Sequence, residues 1–258
     1  MIIILLKLIA AHLLGDFLFQ SNTICDLKYN DILSKRLVGL TIHSSIQAIL
    51  SYLLLAKWSL WIVPAVIFAS HFTIDFIKVV CRGKRLPAFI ADQVAHYIVI
   101  IGLWWFLCIK GYGSVTTSCL SLSFWAIFIS YIAVLVPASI FIKSFIEFEG
   151  WIPNQSLSST EEQIDQEKFP RNEESLKGLP NAGKWIGYLE RVLILTFIYT
   201  NNIEGIGFLL AAKSVFRFGE LNRSQDIKVT EYVLIGTFVS FTIAIIIGFG
   251  VKYIVGIF

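Results

Sequence analysis

The chain has 258 residues, of which 56% are hydrophobic and only 15% charged, with a net charge of +3 and a mean hydropathy of +0.74. That leaves too little polar surface for a soluble domain of this size, and the apolar runs are near-continuous over roughly 20 residues, the length that crosses a bilayer. The basic residues are scattered between these runs and make no nucleic-acid face. The four cysteines, Cys25, Cys81, Cys108 and Cys119, form no CxxC pair, which argues against a disulfide framework and leaves thiolate ligation a weak option.

The expected architecture is all-α: a polytopic transmembrane helix bundle of about eight spans, five plus three, with a cytoplasmic polar linker. The spans are expected near Ile2 to Phe19, Leu37 to Ala56, Trp58 to Val79, Ala88 to Ile109, Phe124 to Ile146, Lys184 to Thr200, Ile203 to Phe218 and Glu231 to Phe258. The first run lacks a small-residue cleavage site and is read as a retained helix. Little more than Lys57 joins the second and third spans, and Asn201 and Asn202 join the sixth and seventh, so both pairs read as tight hairpins. The sixth and seventh are also short and charged, as re-entrant or interfacial segments are. The chain thus divides into a His- and Asp-rich membrane half over 1–146, an acidic linker over 147–183 and a second membrane half over 184–258. The linker's polar stretch, Asn154 to Pro180, is rich in Ser, Glu and Gln and has the composition of a flexible segment.

Short loops rich in Lys and Arg stay in the cytoplasm. The first such loop carries Lys28, Lys35 and Arg36, the next Arg82, Lys84 and Arg85, and the last Arg223 and Lys228. This pattern puts both chain ends outside and the odd-numbered loops inside.

The ionisable residues then fall into a pattern. All four histidines, His12, His43, His71 and His96, precede residue 97, and three share a one-turn spacing with a carboxylate: His12 with Asp16, His71 with Asp75, and Asp92 with His96. Residues four apart share a helix face. Ionisable side chains inside a span are expensive and mark function by default. On the expected topology all seven lie in the cytoplasmic half, the histidines at a depth of ~9–12 Å from the helix ends.

Several imidazoles and carboxylates at one depth are the donor set of a divalent metal, Zn, Mn or Fe, with His12, His43, His71 and His96 as metal ligands. Asp16, Asp75 and Asp92 supply further ligands or the general base. The competing account is a buried network that only locks helices together, but interhelical polar contacts average about 0.6 kcal/mol and do not call for so many ionisable groups. A proton or ion pathway uses the same residue types. Ser44 and Ser70, each beside a histidine, are better read as packing residues than as nucleophiles. In the second half Glu190, Arg191, Lys213 and Arg217 lie toward the inner side with Lys78. They are candidates to hold a phosphorylated or other anionic head, or else serve as interfacial anchors and ion pairs.

The strings HLLGDFLFQ from His12 to Gln20, HFTIDFIK from His71 to Lys78 and DQVAH from Asp92 to His96, with His43, resemble the bacterial membrane family called domain of unknown function 3307. IGYLERVLI from Ile186, GFLLAAKSVFRF from Gly207 and EYVLIGTFVS from Glu231 resemble it too. The resemblance implies a multi-pass protein of the bacterial inner membrane. In style the first half is similar to membrane-bound metal-dependent hydrolases, which raises hydrolase above transporter. The expectation is therefore a metal-dependent hydrolase acting on a lipid or polyprenyl-type substrate from the cytoplasmic side. The alternatives are a metal- or proton-coupled transporter and a non-enzymatic membrane scaffold or effector. The implied partner is a membrane lipid, not nucleic acid, with a protein partner or homo-oligomer left open.

Overall fold

In a computed structural model, residues 1–81, 85–112, 120–150, 182–221 and 227–256 are described, with backbone alone at 85, 216–221, 227–230 and 232. The described residues are helical and hold no strand. They form α1 (Ile2–Leu13), one π-helical turn (Leu14–Leu18), α2 (Asn22–Lys28), α3 (Leu33–Leu55), α4 (Ile62–Cys81) and α5 (Arg85–Ile109), then α6 (Leu122–Val134), α7 (Val136–Phe148), α8 (Ala182–Tyr199), α9 (Glu204–Leu221) and α10 (Ile227–Val255).

Each of the eight segments expected from the sequence is helical, but fewer qualify as spans. Five stretches are long and apolar enough to cross a membrane: Leu33–Leu55, Ile62–Cys81, Leu86–Ile109, Leu122–Phe148 and Val233–Val255. Ile2–Leu18 and Asn22–Lys28, bent by 87°, add a sixth if they are one broken span. The 18-residue helices α8 and α9 fall short, because Lys184, Glu190 and Arg191 interrupt one and Glu204, Lys213 and Arg217 the other.

Local chemistry sets the boundaries. Ser21 caps α2 by accepting a hydrogen bond from the Ile24 amide, and Ser121 caps α6 through Phe124. Ala56 takes a left-handed conformation at φ 53° and ends α3, so Trp58 and Trp61 lie exposed in the connection instead of opening the next helix. The expected span from Phe124 to Ile146 is kept as one stretch, Leu122–Phe148, but its helix is interrupted at Leu135, whose ψ is −103°. Pro137, two residues on, has no amide proton to give the preceding turn. The acidic stretch from Asn154 to Pro180 lies outside the described residues, as do Arg82, Lys84 and Cys119.

The chain divides into two compact units, Met1–Phe141 with Gly250–Phe258, and Ile142–Phe249. In the first, α3 packs on α4, α2 on α3, and α1 on α3, α5 and α6. Its apolar core joins Ile4 and Leu8 of α1, Leu55 of α3, Val63 and Ile67 of α4, and Ile100, Leu103 and Leu107 of α5. These residues are one half of inward stripes stepping by about one turn. Continued along each helix, the stripes run Ile4, Leu8, His12; Val63, Ile67, His71, Asp75; and, in reverse, Leu107, Leu103, Ile100, His96, Asp92, all buried. The polar cluster is thus the next layers of the same helix interface, which is why four helices deliver their histidines to one place.

In the second unit Arg191 of α8 donates to Ser240 Oγ of α10 at 3.0 Å, and a side chain at Gly248 would run into Ile198. That glycine lets α10 lie against α8.

Candidate metal centre

His12, His43, His71 and His96 are each at most 2% exposed, and Asp75 and Asp92 are buried with them. His12 and Asp16 do not stand on a plain α-helix. The turn from Leu14 to Leu18 is widened to π geometry, with the Phe19 amide bonding the Leu14 carbonyl at 2.9 Å. Such widened turns are often found at functional sites. Gly15 sits against the Gln47 carboxamide, in space that any β-carbon would fill. Gln47 Nε2 donates both to the His12 carbonyl at 3.2 Å and to Asp16 Oδ1.

The three carboxylates are treated differently. Lys28 Nζ donates to Asp75 Oδ2 at 2.7 Å, and Lys78 Nζ to Asp92 Oδ2 at 2.7 Å. Asp16 has no lysine in the described contacts. It receives Gln47, Gln93 Nε2 at 3.2 Å on Oδ2, and His43 Nε2 at 3.2 Å from Oδ1. His43 Nε2 also lies 3.4 Å from Asp75 Oδ2, so this imidazole bridges two carboxylates. Three carboxylates against the two ammonium groups leave one negative charge when the imidazoles are neutral.

For neutral rings, the hydrogen-bond partners assign the tautomers of His71 and His12. His71 Nδ1 lies 3.1 Å from the Ile67 carbonyl oxygen, which only accepts, so Nδ1 carries the proton and Nε2 a lone pair. Gln93 Nε2 faces Asp16 Oδ2 at 3.2 Å and Asp92 Oδ2 at 3.3 Å, which turns its Oε1 toward His12 Nε2 at 3.3 Å. That oxygen also only accepts, so His12 carries its proton on Nε2 and a lone pair on Nδ1. His12 Nδ1 and His71 Nε2 are 3.2 Å apart. Two lone pairs face each other with no proton of their own to place between them.

Further donors surround this gap. His71 and His96 stack with centroids 4.1 Å apart, and His12 and His96 lie at 5.0 Å. His12, His71 and His96 offer ligand atoms within 4.8 Å of one another, and so do Asp16, Asp92 and His96. Both nitrogens of His96, His43 Nδ1 and Asp92 Oδ1 are buried without a hydrogen-bond partner. Buried polar atoms are nearly always satisfied. Two nitrogens bound at about 2.0–2.1 Å to a tetrahedral ion lie about 3.3 Å apart, close to the His12–His71 separation. The donor set fits a cation between the imidazoles.

The other expected residues fall in different places. His43 stands beside the three-histidine group, at the carboxylates. Asp16 and Asp92 share a donor group with His96, while Asp75 is paired to Lys28. Lys78, expected to bind substrate, lies at this cluster and is paired to Asp92. Lys213 donates to Glu190 Oε2 at 2.6 Å within the second unit, so these two are ion-paired to each other, and Arg191 is held by Ser240. The Arg217 side chain is outside the described residues. Ser70 Oγ is spent on the Ile67 carbonyl of its own helix, whereas Ser44 Oγ is buried without a partner.

Three residues at the cluster lie outside the pattern of His and Asp pairs in the sequence. Lys28 counts there as a loop cation, yet it is buried on Asp75, because α2 folds back on α3 where Gly39 leaves room. Gln47 stands one turn after His43, the same spacing that marks the other pairs, and Gln93 reads only as part of a helix start.

No curated protein and no solved structure matches the chain. A family model does match its first part and ends at residue 125, so the carboxy-terminal strings that resemble the same family lie beyond it. Residues 4–125, which carry all four histidines, match the family described as Protein of unknown function (DUF3307).

Proposed function

We propose that the chain is an integral membrane, metal-dependent hydrolase acting on a lipid or polyprenyl-type substrate from the cytoplasmic side. The observation that carries this reading is the pair of imidazole lone pairs, His12 Nδ1 and His71 Nε2, facing each other at 3.2 Å in a buried cluster whose carboxylates exceed its lysines by one. His12 Nδ1, His71 Nε2 and a nitrogen of His96 would hold a divalent cation, which would also offset the excess charge.

A bound Zn, Mn or Fe would supply Lewis acidity at a position buried among apolar helices. The protein's own groups divide the remaining work. Gln93 holds His12 in the tautomer that aims Nδ1 inward. Asp16, whose charge no lysine in the described contacts offsets, would be the general base, positioned by Gln47, Gln93 and His43. Asp75 and Asp92, tied to Lys28 and Lys78, orient His43 and His96. With the basic loops on the cytoplasmic side, this cluster would lie in the cytoplasmic half of a bacterial inner membrane protein.

The test is metal content by mass spectrometry on the full-length, detergent-purified protein, never exposed to chelator, beside His71→Ala and Asp92→Ala. Near-stoichiometric Zn, Mn or Fe, lost in His71→Ala and reduced in Asp92→Ala, supports the site and justifies assays of phospholipid and polyprenyl phosphate hydrolysis. Metal at background in the wild type overturns the reading and leaves a shared proton between His12 and His71 as the charge that fills the gap.

A further inference from the structure

A pocket of about 430 Å³ lies between the end of α4 and the start of α5. Its wall is apolar, with Ile74, Ile77, Pro87, Ala88, Ala91 and Ala95, and among the described residues its charged groups are Lys78 and Asp92. Small-molecule sites occupy roughly 300–1,000 Å³ and combine such walls with a few placed polar groups. Ile77 and Ala91 are exposed on helices apolar enough to cross a membrane, so the pocket opens toward the side that hydrocarbon would cover.

The two charged groups connect the pocket to the histidine cluster. Asp92 lines the pocket with one face, and its Oδ1, buried and without a hydrogen-bond partner, lies 3.5 Å from His96 Nε2. Lys78 is about a quarter exposed (26%) and gives one of its three ammonium donors to Asp92. From Lys78 to Arg85 the chain carries four cations and no carboxylate. A hydrocarbon chain satisfies the wall, and an anionic head satisfies the remaining donors of Lys78.

We infer that the α4–α5 pocket is the substrate subsite of the proposed hydrolase and takes the single hydrocarbon chain of a phosphorylated lipid, with its phosphate against Lys78 and beside Asp92. This rests on the hydrolase reading only for the word substrate; the binding itself stands on the pocket. Lys78 is then a residue that holds the head, while Asp92 passes the head's position on to His96.

Cys81, exposed and lining the pocket, reports occupancy. With Cys25, Cys108 and Cys119 changed to Ser, the rate at which a maleimide labels Cys81 is measured in maltoside micelles with dodecyl phosphate, dodecanol or inorganic phosphate added. At four times its Kd, dodecyl phosphate is expected to slow labelling about five-fold, in line with mass action. Dodecanol and inorganic phosphate should leave the rate unchanged. Ala91→Trp, which fills the pocket from its wall, and Lys78→Met should each abolish the protection, and Lys78→Arg should keep it. Equal protection by dodecanol overturns the anionic head, protection by inorganic phosphate alone overturns the lipid, and no protection overturns the subsite. Metal content read on the same preparations separates the two ideas, because protection without metal leaves the subsite standing and removes the metalloenzyme.

Discussion

Lys28 and Asp75 meet at 2.7 Å across 47 positions of sequence, joining the last residue of the short α2 to the middle of α4. Both are at most 5% exposed at the side chain. Such a pair adds little net stability where both charges are desolvated, but removing one partner strands the other. Lys28→Met should therefore cost about 3–5 kcal/mol, and Lys28→Met with Asp75→Asn should recover most of it. Thermal unfolding of the four proteins in detergent closes the cycle. A loss in the double variant equal to the sum of the two single losses would mean that the pair is not coupled.

Gly39 determines whether that pair forms. A β-carbon there would lie 2.6 Å from the Lys28 amide nitrogen and 2.7 Å from Leu27 Cβ. Gly39→Val should push α2 off α3, with an overpacking cost of about 1–3 kcal/mol. Faster protease cleavage between Ser21 and Asn30, with α3 to α5 intact, is the expected result.

Gln93 turns His12 by accepting from its Nε2 while donating to two carboxylates. Gln93→Leu keeps approximate size and deletes all three contacts. If the imidazoles bind metal, affinity should fall about 10–100-fold, the usual effect of losing a group that orients a ligand. Equilibrium dialysis against Zn measures it, and unchanged affinity would remove Gln93 from the site.

The histidines should not be equivalent. His12, His71 and His96 share one ligand group, whereas His43 bridges Asp16 and Asp75. Alanine at any of the first three should abolish stoichiometric metal, and His43→Gln should retain most of it. Metal loss in all four alike would put His43 among the ligands.

Much of the cluster is legible in the sequence because its signal is periodic. The one-turn spacing of His and Asp in apolar runs locates it, and the same spacing from Ile4 and Leu8 explains why those residues face inward. The carboxylates' partners are not legible, since they depend on tertiary approach. Lys28 looks like an ordinary loop cation until α2 bends through 87° and Gly39 admits it. The break at Leu135 is signalled by Pro137, but hydropathy alone runs straight through it. In the second unit, the sequence shows Glu190 and Lys213 as charges within apolar segments, and only the packing of α8 on α9 shows that they satisfy each other.

The widened turn from Leu14 to Leu18 makes the spacing between chain positions part of the chemistry. A one-residue deletion between His12 and Asp16 would restore ordinary i→i+4 winding and bring the two residues from four positions apart to three. Every side chain would keep its identity, yet His12 and Asp16 could no longer both face Gln47 and Gln93. A variant shortened there should have the full set of His, Asp and Gln residues and no assembled site, whereas the same deletion between Ala56 and Trp61, in the connection, should leave the cluster intact.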